Sequence, residues 1–316
     1  MRVVFMGTPQ FAVESLKRIY ESKNHEIVGV VTATDKPAGR GQKLSPSPIK
    51  EFSLEHQLFL MQPEKLNSES FLETLQSLKA DVFVVVAFRM LPEVVWQMPK
   101  MGTVNLHSSL LPQYRGAAPI NWAIINGETK TGVSTFFIEQ KMDMGNIIDQ
   151  EEVLIDESMN AGTLHDKLMI LGADLLLKTL DSISKGNFKN IPQQNLEKGE
   201  IKEAFKIFKE TCKIDWNKDV TTIHNLIRGL SPYPSAYSLI QIDQEILSVK
   251  IFESKIIETT STLEIGTTNT DGKSFINVNC GSGSLTIVSI QIQGKSRLKI
   301  TEFLNGIRGK SICFLN

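Results

Sequence analysis

The stretch Asn105-Leu106-His107-Ser108-Ser109-Leu110-Leu111-Pro112-Gln113-Tyr114-Arg115-Gly116 holds the residues best suited to chemistry in this chain. An amide and an imidazole stand two positions apart at Asn105 and His107. Along an extended strand side chains alternate, so the two share one face. An uncharged N–H donor beside an ionisable ring suits a reaction that develops charge on oxygen and moves a proton. The preceding Gly102-Thr103-Val104 reads as a short strand entering a core. Pro112 cannot continue a central ladder, so the chain leaves the sheet there. Beyond Gly116, Pro119 sits where a helix would begin. A polar pair at a strand end is a fitting place for a site on an open α/β sheet. The same spacing also suits a buried Asn and His bonded to loop backbone, and spacing alone does not choose between the two.

The elements that must position this pair follow from hydrophobic patterning. Residues 3–6 read as a buried parallel strand, and 27–31 as a second. Between them Phe11, Ala12, Leu16, Ile19 and Tyr20 recur at helical spacing. Residues 82–87 form another buried strand, and 132–138 and 153–155 two more. This order predicts a Rossmann-like, mostly parallel sheet. The first turn, Gly7-Thr8-Pro9, is not G-x-G-x-x-G, which counts against a dinucleotide-dependent dehydrogenase. Thr163 with Asp166 reads as a capping box for a long helix with a leucine stripe, stopped near Gly186. Residues 189–204 are polar and read as a linker. The remainder, 205–316, holds one helix at 220–228 and short alternating runs broken by glycines, the pattern of a small barrel. Residues 35–50 carry Lys36, Arg40, Lys43 and Lys50 among prolines and glycines and read as irregular throughout. That segment suits either a solvated loop or an arm that contacts phosphates.

The run Asn105-x-His107-x-Ser109-Leu110-Leu111-Pro112-x-Tyr114-Arg115-Gly116 resembles the signature of the folate-dependent formyltransferases. Asp143, inside Met142-Asp143-Met144-Gly145, matches the third member of that family's Asn/His/Asp set. The opening residues 5–12 and the loop 35–41 narrow the resemblance to members that act on methionyl-tRNA. It extends to Ile214-Asp215-Trp216 and Ile227-Arg228-Gly229-Leu230. The resemblance implies a catalytic domain at 1–188, the linker at 189–204 and an OB-like barrel at 205–316. It implies 10-formyltetrahydrofolate as donor, methionyl initiator tRNA as acceptor, tetrahydrofolate as product and no metal. Catalysis would fall to Asn105, His107 and Asp143. Folate contacts would come from Ser109, Leu110, Leu111, Pro112, Phe88 and Met90. Lys36, Arg40 and Lys43 would meet tRNA. One departure is Arg89, where the family more often has glycine, so that a bulky residue there either points outward or alters the pterin pocket.

Formyl transfer explains why such a set is needed. An amine attacks the formyl carbon, and the tetrahedral intermediate carries negative charge on oxygen. Each donor preplaced around that oxygen contributes about 2.7–4 kcal/mol. Asn105 offers uncharged N–H groups, and a protonated His107 a charge-assisted one. A carboxylate at Asp143 would hold His107 in its working charge state and take the amine's proton, directly or through water.

Bulk properties bound the reading. With 34 Lys and Arg against 35 Asp and Glu, no global positive field advertises nucleic acid, so any RNA contact must be local. Cys212, Cys280 and Cys313 lie far apart with no C-x-x-C, which suits reduced thiols. The N-terminal apolar run is too short for a signal peptide and no run has the length of a membrane span. A cytoplasmic, membrane-free monomer is expected. Two other readings are weighed. A formyltransferase for a small amine, such as a sugar or ribonucleotide, is opposed by the basic segment and the barrel. A non-catalytic RNA-binding protein on the same scaffold is opposed by the intact Asn105, His107 and Asp143.

Overall fold

A computed structural model describes residues 1–38, 43–197, 199–257 and 264–315. It divides into two compact units. One comprises 1–116, 131–153 and 165–203, the other 117–130, 154–164 and 204–316.

The first unit is built on a seven-stranded sheet. Its order is Ile147–Leu154, Lys130–Phe137, Thr103–His107, Val82–Val86, Arg2–Gly7, Glu26–Val31, Leu60–Met61. The strands from Thr103–His107 to Leu60–Met61 are parallel to their neighbours, and Lys130–Phe137 runs antiparallel to Thr103–His107. Val82–Val86 is buried at every position, as a strand covered on both faces must be. Strand order reverses between Arg2–Gly7 and Val82–Val86, and open α/β sheets bind ligands at the carboxyl ends beside such a reversal. Gly7 lies opposite Val86, and Val86 opposite Leu106, so the exit of the His107 strand is adjacent to it. A Cβ on Gly7 would come within 2.7 Å of the Ala12 Cβ, so only glycine allows this strand-to-helix turn.

Some local readings change. The long helix runs Ala161–Ser184 and its capping box is Asn160 with Thr163 rather than Thr163 with Asp166. Asn160 Oδ1 accepts from Thr163 N and Thr163 Oγ1 accepts from Asn160 N, both at 3.0 Å. Asn caps as well as Thr does, and the hydroxyl three residues on supplies the return acceptor. Residues 35–50 are not irregular throughout. Lys36–Ala38 pairs antiparallel with Lys43–Ser45, and a helix capped by Ser47 begins at Pro48. Lys50 is tied to Asp35 at 2.6 Å, so this cation is already neutralised.

The second unit is organised around Trp216, which is fully buried among Ile223, Ile227, Leu230, Ile240, Val249, Ile251 and Phe314. Its indole N–H donates to Ser238 Oγ at 2.9 Å, so Trp216 is core and not a stacking platform. The antiparallel sheet runs Thr268–Thr270, Ile276–Asn279, Ser284–Ile292, Glu245–Ile257, Ala236–Ile242, Ile312–Leu315. Ala236–Ile242 alternates strictly between buried and half-buried positions. Glu245–Ile257 shifts register on both sides of Glu253, and such a bulge bends a strand as a small barrel requires. Cys313 Sγ comes within 3.8 Å of Gly266 O, bringing the last strand near the entrance to the first. The helix Val220–Leu230 packs on Pro119–Ile125, where a Cβ at Gly229 would sit 2.6 Å from Ile125.

Two predictions arise from burial. All three cysteines are free thiols. Burial pushes the Cys212 thiol up and the Cys280 thiol up to about 12, whereas Cys313 is exposed. The thiolate is the reactive form, so a disulfide reagent at mild alkaline pH is expected to titrate Cys313 at once. Cys212 and Cys280 should follow only on unfolding. His25 has a buried side chain whose Nε2 lies 3.0 Å from Asp181 Oδ1. Burial, then the nearby N-terminal charge, lowers its pKa despite Asp181. The unfolded chain therefore binds a proton here at higher pH than the folded one. Stability contributed by neutral His25 is present above the unfolded value and falls as pH drops below it. Urea unfolding from pH 7 to 5 is expected to show a shallower loss in His25→Gln; an unchanged slope would remove His25 from the acid sensitivity.

Candidate active site

Asn105 and His107 lie on the strand Thr103–His107, between Val82–Val86 and Lys130–Phe137. His107 is buried, and its Nε2 lies 2.9 Å from the Tyr114 carbonyl oxygen. A carbonyl can only accept, so Nε2 carries the hydrogen and Nδ1 is left for other work. The Asn105 amide is half-buried and, among the described residues, has no protein hydrogen-bond partner. Asp143 is half-buried at φ 53°, a left-handed conformation that Asp tolerates. Its Oδ2 accepts from Gly116 N at 3.0 Å. His107 and Asp143 therefore meet the same short loop, one at Tyr114 and the other at Gly116. The direct His107–Asp143 pairing considered from the sequence is not made among the described residues; each side chain bonds to the loop backbone instead. Tyr114 is itself at φ 59°, unusual for a bulky residue. Such conformations cost about 1–3 kcal/mol and persist where surrounding structure imposes them.

That structure is visible. Ser134, fully buried, accepts from Leu111 N and Gln150 Nε2 and donates to Ser109 O. Gln150 Nε2 also reaches Leu111 O at 2.9 Å. Ser109 Oγ donates to Gln113 O at 2.6 Å. From the other side, Lys202 O accepts from Tyr114 N, and Lys202 N donates to Gln113 Oε1. Sequence reasoning did not single out Ser134 or Gln150. A polar residue inside an apolar strand was the only available signal for Ser134.

The remaining predicted contacts are placed as follows. Ser109, Leu111 and Pro112 are buried, Leu111 against Phe136 and Ile147, while Leu110 is half-buried. Phe88 packs at the edge of the core cluster holding Val85 and Leu91, and Met90 is 75% exposed. Arg89 points outward and donates to the carbonyls of Pro63 and Glu64. Lys36 is exposed on its hairpin, Lys43 begins the return strand, and Arg40 lies outside the described residues. Among the described residues, no three His, Cys, Asp or Glu come together as a metal site. No helix among them is long and apolar enough to cross a membrane.

A mostly parallel sheet with an Asn-x-His strand end, joined to a barrel-like antiparallel unit, is the architecture of a formyltransferase. Residues 1–180 match the formyl transferase family and residues 206–308 match its C-terminal domain, so the chain belongs to that family. A methionyl-tRNA formyltransferase of Bacteroides fragilis is 52% identical over 97% of this chain and 95% of its own. One from Flavobacterium johnsoniae is 52% identical over 97% and 96%. Among solved structures, the N-formyltransferase of Helicobacter canadensis, in complex with folinic acid and dTDP-3-aminofucose, superposes with a TM-score of 0.66. It is 21% identical and covers 90% of this chain and 97% of that one, a likeness of fold.

Proposed function

We propose that the chain transfers the formyl group of 10-formyltetrahydrofolate to the free amino group of methionyl initiator tRNA, a step of translation initiation in the cytoplasm. The observation that carries this reading is identity of about half the residues, over nearly the whole chain, to methionyl-tRNA formyltransferases. Asn105, His107 and Asp143 are the catalytic residues in this reading. The amine nitrogen bonds to the formyl carbon, and the bond from that carbon to the folate nitrogen breaks. The proton lost by the amine balances the one gained by that nitrogen, so tetrahydrofolate leaves neutral at that atom. The Asn105 amide, which has no protein partner among the described residues, donates to the developing oxyanion. His107, with Nε2 held by Tyr114 O, presents Nδ1 to the same centre. Asp143 receives the proton, directly or through water. No covalent enzyme intermediate is required.

Residues 1–188 form the catalytic domain in this reading, 189–204 the connection and 205–316 the barrel domain. Ser109, Leu110, Leu111 and Pro112, with Phe88 and Met90, border the folate; the buried members act through backbone groups and by shaping the wall. Lys36, Arg40 and Lys43 meet tRNA phosphates, and the protein acts as a monomer. The test is transfer of labelled formyl from the folate donor to methionyl initiator tRNA, uncharged tRNA and an amino-sugar nucleotide in parallel. Transfer to the charged tRNA alone supports the reading. Preferential transfer to the sugar nucleotide would reassign the substrate.

A further inference from the structure

Gln193 lies within the polar stretch that reads as a linker, yet it is buried, with 3% of its surface exposed. Three of its bonds converge on the loops that hold the site. Its Nε2 donates to Asp143 O at 2.7 Å and to Gly145 O at 2.9 Å. Its Oε1 accepts from Arg115 Nε at 2.9 Å. Arg115 in turn reaches Glu197 Oε1 at 3.1 Å, and Gly116 N donates to the Asp143 carboxylate. The segment around Gln193 is anchored as well. Ile191 exchanges both backbone hydrogen bonds with Ile147, and Leu196 packs on Leu111, Phe136 and Ile147. One amide thus bridges the two loops that carry Asp143 and Arg115–Gly116. It supplies one donor group to two backbone carbonyls of the Asp143 turn, and a buried carbonyl deprived of its donor is destabilising.

We propose that Gln193 is a positioning residue for formyl transfer: it clamps the Asp143 turn to the Arg115–Gly116 loop and so sets where the Asp143 carboxylate sits. This rests on the catalytic role assigned to Asp143 above. Gln193 is buried and its amide is taken up by Asp143, Gly145 and Arg115, so its action is through the Asp143 turn. Its two functions are separable, because the NH2 end serves the Asp143 turn and the oxygen end serves Arg115. Gln193→Glu keeps the acceptor for Arg115 but sets a carboxylate oxygen against the carbonyls of Asp143 and Gly145.

The experiment measures single-turnover formyl transfer, donor affinity and thermal midpoint for Gln193→Ala and Gln193→Glu, each in the wild-type and Asp143→Asn backgrounds. In the wild-type background both variants are expected to lose about 10- to 100-fold in rate, the scale of a small misplacement, with donor affinity unchanged. In the Asp143→Asn background neither should cost more than about twofold, since the group being positioned is gone. Equal losses in both backgrounds would overturn the proposal and make Gln193 a general structural residue. Full activity of Gln193→Glu would overturn it too, because the Arg115 bond would then suffice. Full activity of Gln193→Ala beside an impaired Asp143→Asn would overturn it while leaving the Asp143 role intact. Full activity of Asp143→Asn alone would overturn both.

Discussion

His107→Ala is expected to lower the single-turnover rate of formyl transfer by about 10²- to 10³-fold, with the affinity for the folate donor close to wild type. The magnitude is that of removing one preplaced donor from a developing oxyanion, about 2.7–4 kcal/mol. Donor affinity should persist because the proposed folate contacts lie on the following loop and on Phe88 and Met90. That loop has its own supports in Ser134, Gln150 and Lys202. The substitution also removes the bond to Tyr114 O, one restraint on a residue at φ 59°. A stability measurement therefore accompanies the rate. His107→Gln keeps an N–H able to reach a carbonyl and separates the two effects. If the loss is chemical, Gln restores the thermal midpoint but little of the rate. If Gln restores both, or if Ala retains a near wild-type rate, His107 is a structural histidine.

Gly145→Ala is expected to disable the enzyme without touching any group that reacts. A Cβ at this position would lie 1.7 Å from Phe137 O and 2.9 Å from Phe137 C. Both are backbone atoms of the strand Lys130–Phe137, whose end is joined to the turn by Phe137 N donating to Asn146 O. No side-chain rotation relieves this contact, so the turn itself must move away from the strand. The turn carries Asp143 and offers its Asp143 and Gly145 carbonyls to Gln193. Overpacking costs about 1–3 kcal/mol where side chains can adjust, and a backbone obstacle belongs at the top of that range. A displacement of about 1 Å at the reacting groups costs about 10²-fold in rate. Urea unfolding and single-turnover rates check both expectations. An alanine variant with wild-type stability and rate would mean that the turn does not pack on Phe137 as described.

The barrel unit and the sheet were legible because their signals are local. Residues 82–86 are apolar at every position, and 236–242 alternate with period two. Each pattern declares its element within a few residues. Asn105 and His107 were legible as a pair for the same reason, since a two-residue spacing on a strand sets a common face. Asp143 was reached through a resemblance; on local grounds it is only a turn residue before Gly145. The capping box slipped by one helical step because Asn160 and Thr163 are both competent caps, and sequence does not rank them. Lys50 looked like a free cation until the fold brought Asp35 to it.

Gln193 was decided by tertiary structure alone. Its partners Asp143, Gly145 and Arg115 are 50, 48 and 78 residues away. Nothing near position 193 distinguishes it from the polar residues around it. The same holds for Ser134, 25 residues from the Ser109 carbonyl it caps. The sequence determined which segments form strands and helices, because propensity and burial pattern act over a few neighbouring residues. It left undecided which buried carbonyls lack a partner, because that depends on where distant loops come to rest. A side-chain amide or hydroxyl acquires its role only when folding has placed such an acceptor within hydrogen-bond reach of it.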